Sequence, residues 1–395
     1  MESAQSESVL DVVIVGGGLV GMSLALALDR VPGLRVLAIE AQPAPNPQSP
    51  RWDERHFALG RASTLALDDL GVEYCVAGQH PIRRIHVSRR GAFGRTLLDA
   101  AAHGLPAFGQ IVPARQLAAA LEDAMTRTTR LQRLRPARLQ QFATRDDHIE
   151  LELQIGDETQ CVRTRLLVAA DGTDSAIRNA LNFPLQRHDY AQTAIVSAVE
   201  VERDLDGCAY ERFTDSGPIA LLPLDRRRAG LVMTLTADAA TAALAMSDED
   251  FLVFAEQRFG SRLGRWLRVG QRQPWPLKLQ VAERVIDARV AIVGNAAQTI
   301  HPIGAQGFNL GLRDALALAD TIAAHREAVG SETMLADYAE RRREDRERTT
   351  RFSDALARFM ASDLPIGPMR SLALLAAEHV PLLRGALVHS AMGFR

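Results

Sequence analysis

Cysteine, net charge and long apolar runs are all scarce in this chain, and each shortage excludes something. The 395 residues include three cysteines, Cys75, Cys161 and Cys208, which lie far apart and form no C-x-x-C pair. That excludes a disulfide scaffold and a local zinc or redox motif. It predicts reduced, mostly buried thiols in a cytosolic protein, with no metal. The formal net charge is −2 and the pI is near 6.6, so the basic footprint of a nucleic-acid partner is missing. No stretch reaches the ~18 uninterrupted apolar residues of a membrane span. The N-terminal MESAQSES is acidic and polar, without the basic start of a secretory signal. The expectation is a cytoplasmic protein, with peripheral contact to the inner face of the cell membrane left open. There is no internal repeat and no low-complexity tail.

What is present is ordinary globular material. The chain is 47% hydrophobic and 24% charged, enough for a sizeable core, and its length suggests about two to three domains. Residues 9–15 form a short apolar run suited to a buried parallel strand. Residues 19–28 repeat small and apolar residues at helical spacing, and 34–39 is a second apolar strand. This βαβ unit opens a doubly wound sheet. The proline-rich stretch 42–50 is a loop. Residues 62–70 predict a helix ended by Gly71, 82–98 a hairpin around Arg89-Arg90-Gly91, and 114–125 an amphipathic helix. Residues 148–153 alternate as a half-exposed strand, and 166–170 form a buried one. From 191 to 236 alternating segments follow without helices, which predicts an antiparallel sheet in a second domain. Residues 290–293 return to the parallel type, and helices over 308–325 and 332–360 follow.

Three motifs punctuate this pattern. The first is GGGLVG at 16–21, between a strand and a helix. Gly16 serves the tight turn, Gly18 the approach of a pyrophosphate and Gly21 the packing of helix on strand. The phosphates would sit on the helix N-terminus. Glu40, about 20 residues past the glycines, would accept a hydrogen bond from ribose hydroxyls, which points to FAD or NAD and away from NADP. The second motif is LLVAADGTDSAIR at 166–178, where a buried strand ends in Asp171-Gly172 and a serine starts a helix. The third runs from VAIVGN at 290–295 to HPIGAQGFNLG at 301–311, a Gly-rich turn opening a long helix. Such an N-terminus can stabilise the negative charge of a reduced flavin ring.

In this order and at these separations, the motifs resemble those of the flavoprotein aromatic hydroxylases of the p-hydroxybenzoate hydroxylase-like fold. Within them the chain is similar to the ubiquinone-biosynthesis hydroxylases, above all to the group acting on a 2-polyprenyl-6-methoxyphenol. The run VAIVGNAAQTIHPIGAQGFNLGLRD at 290–314 carries most of the resemblance, which spans nearly the whole chain. It implies an α/β fold: a Rossmann-like FAD-binding domain (9–80, 99–182 and 283–326), an inserted, mainly antiparallel β-sheet substrate domain (81–98 and 183–282) and a C-terminal helical region (327–395). It also implies that Gly16, Gly18 and Gly21 hold the FAD pyrophosphate and Glu40 its ribose, and that Arg55 lies near the cofactor. Asp171 and Gly172 match a motif that contacts FAD and is implicated in handling the nicotinamide. Asn295 stands where most relatives carry Asp against the ribityl and ribose hydroxyls. Asn keeps an acceptor oxygen and gains donors, and the ubiquinone subgroup also resembles this chain in carrying Asn. Gly304, Gly307 and Asn309 match the segment beside the isoalloxazine.

The implied reaction is aromatic hydroxylation through a flavin hydroperoxide, with NAD(P)H as transient reductant, O₂ as oxidant and a polyprenylphenol as substrate. Membership of a ubiquinone-biosynthesis complex is left open. The difficult chemistry belongs to the cofactor, so no nucleophile, metal or catalytic base is named, and His301 is read as a packing or surface residue. Two other readings stand beside this one. The first is an enzyme of the same fold acting on a small soluble aromatic or reducing a prenyl chain. The second is a non-enzymatic flavin-bearing scaffold. An apolar lining from 219–224 and 231–235 would favour a lipid, and an arginine or tyrosine cluster an anionic aromatic. The charge run ERRREDRERTTR at 340–351 is expected to pair Arg341 with Asp345, Arg343 with Glu347 and Glu344 with Arg348 on a solvated helix face. The alternative for it is docking on anionic lipid or a partner protein. The apolar segment 364–388, interrupted by Pro365, Pro368 and Pro381, would pack on the flavin domain or form a prenyl entrance or membrane-facing surface.

Overall fold

The strand LDVVIV, Leu10–Val15, carries apolar side chains on both faces and is buried on both, as a central parallel strand must be. Val12, Val13 and Ile14 are 0% exposed, each side chain contributing about 1.5–3 kcal/mol by burial. In the computed structural model, which describes residues 9–44, 55–74, 80–91 and 94–361, this strand pairs in parallel with Val36–Ile39 on one side. On the other it pairs with the last half of Glu158–Ala169. Val290–Ile292 and Gln132–Leu134 extend the parallel array outwards. Helices Leu19–Asp29 and Gln306–Ala324 pack against one another beside it.

The strand expected over 166–170 starts earlier, at Glu158. Its first half is the return arm of a hairpin with Ile149–Ile155, turning at Gly156 with φ +59°. Cys161 lies on that projecting arm and is exposed, whereas Cys208 is buried. The expected burial of the thiols therefore fails at Cys161, because strand alternation turns it away from the core that its neighbour Val162 joins. Cys75 lies outside the described residues, as do 45–50 of the proline-rich loop and the apolar segment 364–388.

A second sheet of nine strands among the described residues is antiparallel except where Cys208–Thr214 runs parallel to Arg84–Arg89. Its central strands are Leu185–Val201, Arg228–Thr236 and Gly217–Pro223. Helices Ala237–Leu244 and Asp248–Phe259 cover one face, in a stretch to which the sequence reading assigns no element. Their start signals are nonetheless present. Thr236 caps Ala239 and Ser247 caps Asp250, with Asp248, Glu249 and Asp250 in the first turn. A short ribbon, His56–Gly60 paired with Gly109–Pro113, lies between the two sheets.

The charge run on helix Glu332–Ala361 departs from expectation. Arg342 is 0% exposed, and Asp345 and Arg346 are also buried. Arg342 pairs with Asp314 on the neighbouring helix at 2.7 Å and with Asp345 at 2.7 Å. Arg313 also holds Asp345, at 2.8 Å, and Arg346 donates to Gln298 at 2.7 Å. The three expected i,i+4 pairs do not form. Arg341 pairs with Asp337, and Arg343 with Glu340. Helix Gln306–Ala324 presents Asp314 and Arg313 to the middle of the run, so Arg313 and Arg342 take Asp345, while Arg341 and Arg343 turn back to Asp337 and Glu340 on their own helix.

Candidate cofactor and substrate site

Four adjacent parallel strands end side by side, and the candidate residues follow their ends. The Gly16 N–H donates to Ile39 O at 2.8 Å, the Ala170 N–H to Val15 O at 2.8 Å and the Val293 N–H to Ala169 O at 3.0 Å. The structure thereby gathers Gly16, Gly18, Gly21, Glu40, Asp171, Gly172 and Asn295 at the carboxyl edge of the sheet, where doubly wound folds bind ligands. Gly16 has φ +113°, and a Cβ there would lie 2.3 Å from Ala170 O. A Cβ on Gly21 would lie 2.0 Å from Gly16 O. Gly18 is the opposite case, because its Cβ would meet nothing within 4 Å. Its glycine keeps clear a space that the protein itself leaves open. The helix that follows has no side-chain cap and no acidic residue in its first turn, so its free N–H groups and dipole are available to an anion. Glu40 braces the loop: Oε2 accepts from the Gly17 N–H and Oε1 from the Gln42 N–H, each at 2.6 Å. Each carboxylate oxygen retains a lone pair for a ribose hydroxyl.

Asp171 accepts from the Ala176 N–H at 2.8 Å through Oδ2, while its buried Oδ1 has no partner. A buried acceptor without a donor calls for an explanation, and a ligand hydroxyl would supply one. Arg178, 2% exposed, fixes the geometry by donating to Thr173 O at 2.8 Å and Ala296 O at 3.0 Å. It thus bolts the Asp171-Gly172 turn to the Gly294-Asn295 turn. Asn295 itself is exposed, its Nδ2 3.5 Å from Thr173 Oγ1.

Gly304, Gly307, Asn309 and Arg55 form a second group around the start of helix Gln306–Ala324. That helix also lacks a side-chain cap and an acidic first turn, and its preceding residue, Ala305, has φ +51°. Gly304 is exposed with φ +71°, and a Cβ on Gly307 would meet nothing within 4 Å. Asn309 is 2% exposed and its amide is fully committed to backbone. Oδ1 accepts from the Gly60 N–H at 3.0 Å, and Nδ2 donates to Ala58 O and Ala305 O, both at 2.9 Å. It positions the segment, and its two amide donors are both committed to backbone. Arg55 stacks over Trp275 of the second sheet, 4.6 Å from the ring centroid. His301 is 1% exposed, and burial pushes its pKa down to about 4. Its Nδ1 accepts from the Ile303 N–H at 3.2 Å and its ring meets Tyr190 edge-on at 5.0 Å.

The second sheet turns its other face toward this group, and Leu356 and Ala357 of helix Glu332–Ala361 pack on part of it beside Phe213. Ile219, Leu221, Leu231, Met233 and Leu235, expected as lining, are all 0% exposed and point into the helix-covered core. Strand alternation puts Ala220, Leu222 and Val232 on the other face, where they are half-buried. Phe213 on that face packs with Ile303 of the flavin segment, and Ala209 clusters with Ala58. Between them lies Glu211, which the sequence reading missed. Its signal was a lone charge at an inward position of an alternating strand. Depressions of about 390 and 350 Å³, lined in part by Arg165, lie at the opposite edge of the parallel sheet and belong to neither group. Among the described residues no helix is long and apolar enough to cross a membrane.

An open glycine loop on a free helix N-terminus, an orphaned acceptor beside it and a second free helix N-terminus facing the second sheet fit a bound FAD. The fold and site define an FAD-dependent oxidoreductase. A family profile described as FAD binding domain matches residues 9–353. The chain is 36% identical over 397 aligned residues to ubiquinone hydroxylase UbiL of Rhodospirillum rubrum, covering 99% of this chain and 91% of that relative. It is 33% identical over 390 residues to 3-demethoxyubiquinol 3-hydroxylase of Escherichia coli, covering 97% and 98%. In fold it is similar to the crystal structure of p-nitrophenol 4-monooxygenase PnpA from Pseudomonas putida, with a TM-score of 0.77, 21% identity and coverage of 98% and 100%. The chain belongs to the FAD-binding monooxygenase family that includes the ubiquinone hydroxylases, and it is an FAD-dependent, NAD(P)H-consuming aromatic hydroxylase.

Proposed function

We propose that this enzyme hydroxylates the ring of a polyprenylated methoxyphenol in ubiquinone biosynthesis. The observation that carries the reading is the face of the second sheet opposite its covering helices, which presents the half-buried apolar side chains of Ala220, Leu222 and Val232. Bound FAD supplies the redox chemistry, drawing electrons from NAD(P)H and delivering one oxygen atom of O₂ to the ring. The chain supplies binding, orientation and exclusion of water. In this reading Gly16, Gly18 and Gly21 seat the pyrophosphate and Glu40 the ribose. Asp171, Gly172 and Asn295 hold the sugar-like hydroxyls. Gly304 and Gly307 admit the flavin ring, Asn309 fixes that segment, and Arg55 closes its edge against Trp275. The prenylated substrate resides in the bilayer, so the enzyme meets it as a peripheral protein on the inner face of the cell membrane.

The test is a mass-spectrometric profile of quinone lipids in cells lacking the protein. The expected result is a fall in ubiquinone with accumulation of a prenylated methoxyphenol short of one ring oxygen. An unchanged profile, in a strain with no redundant hydroxylase, overturns the substrate and leaves the flavoenzyme.

A further inference from the structure

Side chains on strand Cys208–Thr214 alternate between two environments. Tyr210 and Arg212 turn to the helix-covered side, where Tyr210 meets the rings of His86 and Phe259 and Arg212 donates to Ser88. Ala209, Glu211 and Phe213 turn to the flavin side. Glu211 faces Val87 and Ala220 across the register and sits between Ala209 and Phe213, so its four nearest strand neighbours are apolar. Its carboxyl has no hydrogen bond or ion pair among the described residues. The nearby charges are engaged elsewhere: Arg89, opposite Phe213, pairs with Asp215 at 3.1 Å, and Arg212 and His86 lie on the other face.

A carboxylate enclosed without a donor is costly, and burial pushes the Glu211 pKa up to about 7. An apolar side chain would avoid that cost. The side chain is half-buried rather than sealed, and strand alternation places it on the same side as Ala209 and Phe213, which pack toward Ala58 and Ile303. The missing donor therefore comes with the ligand. The geometry points to Glu211 as the residue that recognises the substrate ring, accepting the hydrogen bond of a phenolic hydroxyl and repelling a ring that carries a carboxylate. This inference rests on the proposed action on a phenol. It adds the group that orients the ring: a charge-assisted bond on one edge of an otherwise apolar site fixes which carbon faces the flavin.

The experiment titrates the FAD-loaded enzyme with a short-prenyl methoxyphenol, with the methyl ether of the same compound and with 4-hydroxybenzoate, following the flavin absorbance. Wild type is expected to bind the phenol about tenfold or more tighter than its ether, the scale of one hydrogen bond to a charged group. The advantage grows as pH rises through about 7, where the carboxylate forms. Glu211→Leu retains FAD but binds phenol and ether alike. Glu211→Gln, which preserves shape, loses the pH transition and gains affinity for 4-hydroxybenzoate. Phenol selectivity that persists in Glu211→Leu overturns the inference and leaves the proposed function standing, as does a pH transition that persists in Glu211→Gln. A wild-type enzyme that binds none of the three, and whose NAD(P)H consumption none of them stimulates, overturns both.

Discussion

Replacing Arg342 with Met separates a buried structural network from a solvated charge run. Arg342 and Asp314 are both 0% exposed, and Arg342 bridges Asp314 to Asp345. Met fills the volume of the arginine stem but removes the charge. Asp314 would keep the Gln298 side-chain amide at 2.5 Å and the Gly294 N–H at 3.3 Å, and Asp345 would keep Arg313 at 2.8 Å. Removing one partner of a buried ion pair costs about 3–5 kcal/mol. With donors remaining on both carboxylates, the lower end, about 3 kcal/mol, is expected. For 395 residues unfolding as one unit, with an entropy of ~2.1 cal/mol/K per residue, this lowers the thermal midpoint by roughly 4 °C. Calorimetry on the holoenzyme at fixed free FAD measures it, because the cofactor itself shifts apparent stability. If the loss comes from the orphaned Asp314 carboxylate, Arg342→Met/Asp314→Asn recovers about half of it. A single-variant shift under about 1 °C, or a further loss in the double variant, refutes the reasoning.

Three further outcomes follow from the site and its surroundings. Gly18→Ala should leave the thermal midpoint of the FAD-free protein unchanged, since its Cβ meets no protein atom, yet weaken FAD about tenfold or more by filling the space for the pyrophosphate. Equal FAD affinity in a fluorescence titration would sink the pyrophosphate assignment. Asn309→Leu strands the Gly60 N–H and two carbonyls, which should cost about 2–3 kcal/mol and loosen FAD in the same titration. A variant as stable as wild type would show that other donors replace the amide. Burial lowers the pKa of both His86 and His301 to about 4 from the ordinary 6.5. Stability from these neutral rings is therefore complete above about pH 6.5 and lost as pH falls toward 4. Asp345, held near 2 against its burial by Arg313 and Arg342, adds a second loss between about pH 4 and 2. His301→Phe should remove about half of the upper loss in denaturation midpoints measured across pH, and an unaltered profile excludes His301 as its source.

The gathering of the candidate cofactor residues was legible because its constraints are local. A tight turn after a buried strand needs glycine at Gly16, an approach without a side chain needs it at Gly18, and the carboxylate Glu40 follows one strand later. The structure brings these residues together with Asp171 and Asn295 because parallel strands of one sheet must end on one side. The scaffolding of the same site was not legible. Nothing near Arg178 in sequence announces that its guanidinium spans 118 residues to Ala296, and Asn309, matched to the flavin segment, serves it through the backbone of a ribbon about 250 residues away.

Charge shows most clearly where sequence reasoning runs out. Spacing states which face of an element a residue occupies, but not what covers that face. In the run at 340–351 spacing offered three local pairs and left Arg342 out, and Arg342 found Asp314 on another helix because that face is buried. In strand Cys208–Thr214 spacing could put Glu211 on one face but not show that burial there leaves it no partner among the described residues. The two outcomes differ in function for one physical reason. A buried charge that the fold neutralises belongs to stability, and removing its partner unfolds the protein. A buried charge that the fold leaves unpaired, facing an open apolar surface, keeps its hydrogen-bonding capacity for whatever enters. By that criterion Arg342 and Arg178 are parts of the frame, whereas Glu211 has no partner among the described residues and stays available to a ligand.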